Sequence, residues 1–316
     1  MLLRRRCLTI LWALGCLLAS FQARAQSDVP RLSLTQVSDH AYYAQGLSAL
    51  GSPLNQNFIS NAGIVIAPEG VVVIDALGSP ALAKRLVAEI RKVTDKPIQY
   101  VIVTHYHADH VYGLQTFTDL GAKVIAQEQG KLYLTSDTAK LRLEASREQL
   151  APWVNADTRL QPADIWVLND EQLMLSGWQF DLLKVGPAHT PDDLAIYVPA
   201  EKVLFAGDLM FRGRIPFVGN ADSAGWIKSL DRLLAIDPAV VVPGHGPFST
   251  SAQADLQFTR DYLVFLRESL REPALELEDF EDAYDSIDWS AYEQVPLFKA
   301  ANRMNAYNVF LSIQSE

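Results

Sequence analysis

From Gln56 onward the chain alternates short β-branched runs with turns, and the spacing of its apolar positions changes from segment to segment. Phe58 to Ala67 and Val71 to Asp75 are extended runs on either side of Pro68-Glu69-Gly70, the composition of a hairpin turn. Between Ser79 and Val93, Leu82, Leu86, Val87 and Ile90 recur at helical spacing, with Ser79 as cap and Pro80 in the first turn, so a helix is expected. Residues 98 to 103, Ile-Gln-Tyr-Val-Ile-Val, predict a strand running directly into Thr104-His105. A short helix over 113 to 120 and a strand over Lys123 to Ala126 follow.

Residues 130 to 162 are polar and mixed, with charged helical character around 137 to 150 and breakers at Pro152 and Pro162, and read as an insertion lying over a site. Strands are expected near 164 to 168, 172 to 176, 178 to 185, 194 to 198 and 202 to 206. A helix from Ser223 to Ile236 then carries Leu230, Leu233 and Leu234 on one side, and Val240 to Val242 closes the series as a buried strand. From Ser251 to the end the composition turns acidic and helical, with Leu256, Tyr262, Leu263, Leu266 and Leu270 apolar; Glu272 to Asp288 reads as a solvated face. Strand hairpins alternating with helices long enough to cover sheets point to an α/β layered fold.

The first residues change the picture of where this globule works. Arg4-Arg5-Arg6, an apolar run from Leu8 to Ser20 and Ala23-Arg24-Ala25 read as an export signal cleaved after Ala25, too short in its apolar part to span a bilayer. A periplasmic or secreted protein is expected, without a membrane anchor once the leader is removed. Both cysteines, Cys7 and Cys16, lie in that leader, so the mature chain has neither disulfide nor thiolate ligand. The leader carries four arginines and no acid, and its removal takes the formal charge from −10 to −14. Nucleic acid and anionic membrane are excluded as partners by such a surface; a small-molecule substrate fits it.

The candidate chemistry sits at the end of the 98 to 103 strand, where His105-Tyr106-His107-Ala108-Asp109-His110 puts four metal-competent side chains within six residues. In a continuing strand His105, His107 and Asp109 would share one face, whereas in a tight loop all four can turn around one small volume; Gly113 favours the loop. The helical His-Glu-x-x-His arrangement of zinc proteases is absent. Three further candidates each follow a predicted apolar strand at a Gly- or Pro-rich turn: His189 in Gly186-Pro187-Ala188-His189-Thr190-Pro191, Asp208 after Gly207, and His245 in Pro243-Gly244-His245-Gly246. Sheets of α/β proteins gather ligands past the carboxyl ends of their strands. His40 alone among the six histidines is left for the surface.

Asp75 at a strand end, the His105 to His110 cluster, His189, Asp208 and His245 together resemble the metallo-β-lactamase-fold superfamily over roughly residues 35 to 250. That resemblance implies a four-layer αββα sandwich with a binuclear site at one edge of its two sheets, followed by the helical extension from residue 251. It implies that His105, His107 and His189 hold one metal, that Asp109, His110 and His245 hold a second, and that Asp208 bridges them. Asp75 would fix the cluster from behind. Imidazole and carboxylate donors favour two Zn²⁺ ions, which lower the pKa of a shared water toward 7 so that hydroxide can attack an acyl or ester carbon. Asp109 is also the candidate catalytic residue, passing a proton.

Asp208 stands where the main zinc subclass of β-lactamases has Cys, so thioesters and lactones are expected ahead of β-lactams. Asp192-Asp193 replaces the Gly-Ser usual in glyoxalase II-like thioesterases. Residues Phe205 to Val218 and Asn305-Ala-Tyr-Asn308 resemble exported metallohydrolases encoded beside sulfur-oxidation or quinoprotein systems. Arg212 and Arg214 have two readings, contact with an anionic part of the substrate or a salt bridge to the acidic C-terminal segment. Tyr106 and Tyr112 would orient a substrate or pack; Trp226 would pack. A mononuclear iron dioxygenase acting on persulfides and a non-catalytic periplasmic carrier of metal or cofactor are the alternatives to a hydrolase.

Overall fold

The computed structural model describes residues 30 to 316, so the leader expected over residues 1 to 25 lies outside the described residues. Two mixed sheets form the centre. The first contains β1 (Leu34–Gln36), β2 (Ala41–Ala44), β3 (Ala62–Ile66), β4 (Val71–Ile74), β5 (Ile98–Ile102), β6 (Lys123–Gln127) and β7 (Ile165–Val167), side by side in chain order. Its first four strands are antiparallel neighbours, and β4 through β7 are parallel. The second is ordered β12 (Val240–His245), β11 (Val203–Phe211), β10 (Leu194–Val198), β9 (Trp178–Lys184), β8 (Glu171–Leu175), with β11 and β12 parallel.

Strand periodicity decides what each sheet face buries. In β4, Val72 and Ile74 point between the sheets, where they meet Ile102 and Ile125 of the first sheet and Phe180, Leu182, Ile196 and Phe205 of the second. Val71 and Val73 point the other way, into an apolar layer with Leu82, Leu86 and Ile90 of α1 (Pro80–Val93) and with Leu114 and Phe117. On the outer face of the second sheet, Leu204 and Val241 pack against Trp226, Leu230 and Leu233 of α6 (Ser223–Leu234) and Leu263 and Leu266 of α7 (Ala252–Leu275). Three apolar layers thus separate four structural ones, the expected α/β sandwich. α8 (Phe280–Ser286) and α9 (Phe298–Gln314) complete the C-terminal helical extension against α7.

Several local expectations hold with their stated causes. Ser79 accepts a hydrogen bond from the Leu82 amide and Pro80 opens α1. Residues 130 to 162 hold α4 (Gly130–Thr135) and α5 (Asp137–Gln149). Between α1 and α4 lie two short helices, α2 (Ala108–Val111) and α3 (Leu114–Thr118).

Three expectations need correction. β12 runs on past Val242, so that His245 is its last residue and does not follow it. The extended run placed over Phe58 to Ala67 begins only at Ala62, because Gln56 and Asn57 take left-handed φ of 58° and 59° and turn the chain before it. Asp208 does not follow the end of its strand: β11 continues to Phe211 past a break in register at Gly207, whose φ is +53°. A Cβ at Gly207 would also crowd the Thr104 side chain. Among the described residues no helix is long and apolar enough to cross a membrane.

Candidate metal centre

The site forms where the strand ends of both sheets meet. The Leu194 amide donates to the Thr104 carbonyl at 2.8 Å, and the Asn61 amide to the Gly244 carbonyl at 2.7 Å, tying the two edges together. Past β5 the chain bends at Thr104, is extended at His107, with φ −81° and ψ 151°, and then makes the single helical turn α2. His105 and His107 therefore approach from the strand side, while the turn brings Asp109 and His110 round to face them.

Asp75 locks this arrangement from behind. It sits at φ 63° directly after β4; one carboxylate oxygen accepts the Thr104 amide at 2.8 Å, and the other accepts the Thr104 hydroxyl and pairs with His110 Nδ1, each at 2.8 Å. With Nδ1 committed, His110 presents Nε2 to the centre. His245, the last residue of β12, is fixed in the same way by the Ile59 carbonyl, 2.8 Å from its Nδ1.

All seven candidates converge. One donor atom each from His105, His107, His189 and Asp208 lie within 4.8 Å of one another, and so do those of Asp109, His110 and His245. Asp208 faces both groups: Oδ2 is 3.4 Å from His189 Nε2 and 3.3 Å from His245 Nε2, and Oδ1 is 3.3 Å from His110 Nε2. A Cβ at position 244 would run into the Asp208 carboxylate, which explains Gly244 beside His245.

The polar atoms themselves fit cations. His105 Nε2 and His189 Nε2 each lie 3.1 Å from His107 Nδ1, three nitrogens of one kind turned on one point. His110 Nε2 and Asp208 Oδ1 are buried without a hydrogen-bond partner, a costly state for a protein interior. Burial drives the charge off His107, His189 and His105, holding the first two near pKa 3 and 4, so their lone pairs are free. Burial also opposes charge on His110 and His245, but the carboxylates of Asp208 and Asp109 override it, lifting His245 to about 9. A positive charge is what this half of the site demands, and no sulfur donor is present among the seven.

Five of the seven donors, His107, Asp109, His189, Asp208 and His245, line a cavity of about 510 Å³ together with Leu50, Ile59, Phe211, Phe217 and Met304. The two arginines divide between their two readings. Arg212 donates from Nε to Asp255 of α7 at 2.7 Å, the salt bridge to the C-terminal segment. Arg214 is 4% exposed, lines the cavity, lies over the Phe211 ring and has no carboxylate within ion-pair distance among the described residues. Tyr106, stacked on Trp166 with its hydroxyl on the Gln161 carbonyl, and Tyr112, beside Ser146, are both packed inside. Trp226 packs against His189 at 5.2 Å and bonds the Leu209 carbonyl. His40 is exposed and pairs with Glu201.

Several contributors lie outside the donor set that the sequence points to. Arg142 of α5 reaches the cavity wall. Asn61 is buried and its amide donates to the Pro243 and Gly246 carbonyls at 2.8 Å, bracing the His245 turn. Asn305 does the same for the loop after β11: it donates to the Pro216 carbonyl at 2.7 Å and accepts the Val218 amide at 2.9 Å. Asp193, following His189, accepts the Thr190 amide and hydroxyl, while Asp192 accepts the Tyr106 amide; burial pushes both carboxyls up, Asp192 to about 6.

Residues 56 to 245, more than half of the chain, match the model of the family described as Metallo-beta-lactamase superfamily. The chain belongs to this superfamily. Members it is similar to include a linear primary-alkylsulfatase from Pseudomonas sp. (strain ATCC 19151), 28% identical over 65% of this chain and 45% of that protein. A metallo-beta-lactamase type 2 from Elizabethkingia meningoseptica is 24% identical over 75% of this chain and 86% of its own length. The chain spans about half the length of the first curated relatives it matches.

Among solved structures, a metallo-beta-lactamase from Pontibacter korlensis superposes with a TM-score of 0.60 at 23% identity, over 74% of this chain and 99% of that one. A stereoselective inverting sec-alkylsulfatase from Pseudomonas sp. superposes with a TM-score of 0.71 at 16% identity, over 89% of this chain and 50% of that one. Superfamily members of both kinds are metal-dependent hydrolases.

Proposed function

We propose that the protein is a periplasmic binuclear zinc hydrolase acting on an acyl or ester-type carbon, of the thioester, lactone or lactam class, in small substrates that carry a negative charge. The observation that carries this reading is the placement of Asp208 between two convergent donor groups. His105, His107 and His189 would hold one ion, and Asp109, His110 and His245 the other, with Asp208 shared between them. Two such ions supply Lewis acidity and a water of lowered pKa. Location in the periplasm is supported by the leader composition of residues 1 to 25.

The protein groups divide the remaining work. Asp75 and the Ile59 carbonyl fix the His110 and His245 rings so that each turns Nε2 inward. Asp109 is the more open of the two central carboxylates, with 17% of its side chain exposed against 5% for Asp208, and it lines the cavity. It is placed to take a proton from water and return it to the leaving group. Arg214, a buried guanidinium with no carboxylate within ion-pair distance among the described residues, binds the anionic part of the substrate.

A second reading, hydrolysis of alkyl sulfate esters, is favoured by one comparison. The sec-alkylsulfatase superposes on 89% of this chain, against 74% for the Pontibacter enzyme. A sulfate ester also carries a negative charge that could pair with Arg214. Zinc-loaded protein assayed against thioesters, lactones, β-lactams and primary and secondary alkyl sulfates separates the two: acid release supports the acyl reading and sulfate release the second. Turnover of none of them, with two zinc ions bound, contradicts hydrolysis.

A further inference from the structure

Beside the main cavity, on the far side of His107, lies a second one of about 310 Å³. His107, Thr190 and Pro191 line both, so the two adjoin along the same wall of the site. Apart from that shared wall, the smaller cavity is walled by Tyr106, Gln129, Leu132, Tyr133, Ser136 and Thr138, with Asp192 at one edge. Most of this lining comes from the α4–α5 segment.

Part of its polar lining is already occupied. Asp192 holds the Tyr106 amide, the Tyr106 hydroxyl bonds Gln161, and Ser136 caps α5 through the Ala139 amide. The surface left to a ligand is mostly aromatic and aliphatic, with Gln129, Tyr133 and Thr138, whose side chains make no hydrogen bond among the described residues, as its polar exceptions. At the lip Leu132 is 68% exposed, a large apolar side chain held in water next to an apolar hollow. Ligand pockets of this kind join mostly apolar walls to a few convergent polar groups, and here the polar groups are the donors of the main site.

We propose that this side pocket receives an apolar arm of the substrate, so that the site takes amphiphilic anions: the charged end toward Arg214, the scissile group over the donors, the arm past His107 between Tyr133 and Leu132. The substrate class presupposes the hydrolase reading of the main site, while the pocket can be tested by binding alone. The main cavity has apolar residues of its own at the mouth, Leu50 and Met304, and these are the competing berth for an arm.

The test is calorimetric binding of butyrate, hexanoate and octanoate to the zinc-loaded protein, paired with hydrolysis of anionic esters of the same chain lengths. Burial of each methylene is worth roughly fourfold in affinity at full enclosure, so octanoate is expected to bind at least ten times more tightly than butyrate. Leu132→Asp should bring the octanoate-to-butyrate ratio toward one, and Leu132→Trp should shorten the preferred chain; Leu132 is exposed enough for both variants to fold. A ratio near one in the unaltered protein, no binding of any chain, or a ratio lost in Leu50→Asp but kept in both Leu132 variants overturns the proposal. Chain-length preference in binding without hydrolysis of any ester would remove the proposed function and leave the pocket standing. Hydrolysis indifferent to chain length would do the reverse.

Discussion

The seven donors fall into two sets built in different ways. His105, His107, Asp109 and His110 come from one short stretch, and their geometry is local: a bend at Thr104 after β5, one helical turn from His107, and the Asp75 carboxylate bonded to Thr104 and His110. His189, Asp208 and His245 come from three separate segments of the second sheet, and their geometry is tertiary. It depends on the register break at Gly207, on space left by Gly244, and on Asn61 holding the His245 turn. The C-terminal helices extend this second side, since Asn305 of α9 fixes the loop that carries Arg214 and Phe217. A local set fails when its few hydrogen bonds are cut, whereas a distributed set fails when packing far from it shifts. That contrast makes the two sides separable by mutation.

The largest effect should come from the residue both sets share. Asp208→Ala is expected to cost about a thousandfold in turnover, several kcal/mol of transition-state stabilisation, and to lower the zinc content measured by plasma mass spectrometry. Retention of two zinc ions with near-normal turnover would remove Asp208 from the bridging role.

Next comes the local side. Asp75→Ala should weaken metal affinity or activity by roughly 10- to 100-fold, the usual cost of an outer-shell carboxylate, with the circular dichroism spectrum retained. Asp75→Asn should fall between, because Asn tolerates the left-handed backbone at that position but carries no charge.

On the distributed side, Asn305→Ala leaves the Val218 amide and Pro216 carbonyl without their partners and should destabilise by about 1–3 kcal/mol in denaturant titration. It should lower kcat/KM while leaving the zinc content at two. Loss of zinc in this variant would mean that the C-terminal helices support the donors as well as the substrate wall.

Arg214→Met is expected to raise KM for anionic esters about tenfold, one charge-assisted contact, and to raise the melting temperature, because a desolvated charge with no carboxylate within ion-pair distance among the described residues is removed. A lowered melting temperature would show that Arg214 is a structural residue. The smallest effect belongs to Arg212→Ala. Its pair with Asp255 is about a third exposed at Arg212 and should contribute only about 0.2–1 kcal/mol.

The same division governs what the sequence discloses. The layered architecture follows from apolar periodicity, and the His105 to His110 cluster is visible because four donors crowd one strand end. The downstream three are visible only because apolar runs and Gly or Pro bracket each of them. Asp208 shows the limit: an apolar run ending at Ala206 reads as a finished strand, yet pairing with β12 carries β11 on to Phe211, and such pairing leaves no mark on local periodicity. Arg212 and Arg214 are alike in sequence, and only the position of Asp255 on α7 separates a surface ion pair from a cavity charge. Asn61 and Asn305 stand among other polar residues in sequence, and their partners are backbone atoms brought close by the fold.

If the two donor sets form one binuclear zinc site that hydrolyses an ester, metal analysis of the purified protein together with anomalous diffraction at the zinc edge will show it, with hydrolysis followed through chelation and zinc restoration. Two zinc peaks are expected, one among His105, His107 and His189 and one among Asp109, His110 and His245, with activity lost on chelation and regained with zinc. A single iron with oxygen uptake, or hydrolysis indifferent to chelation, would contradict it.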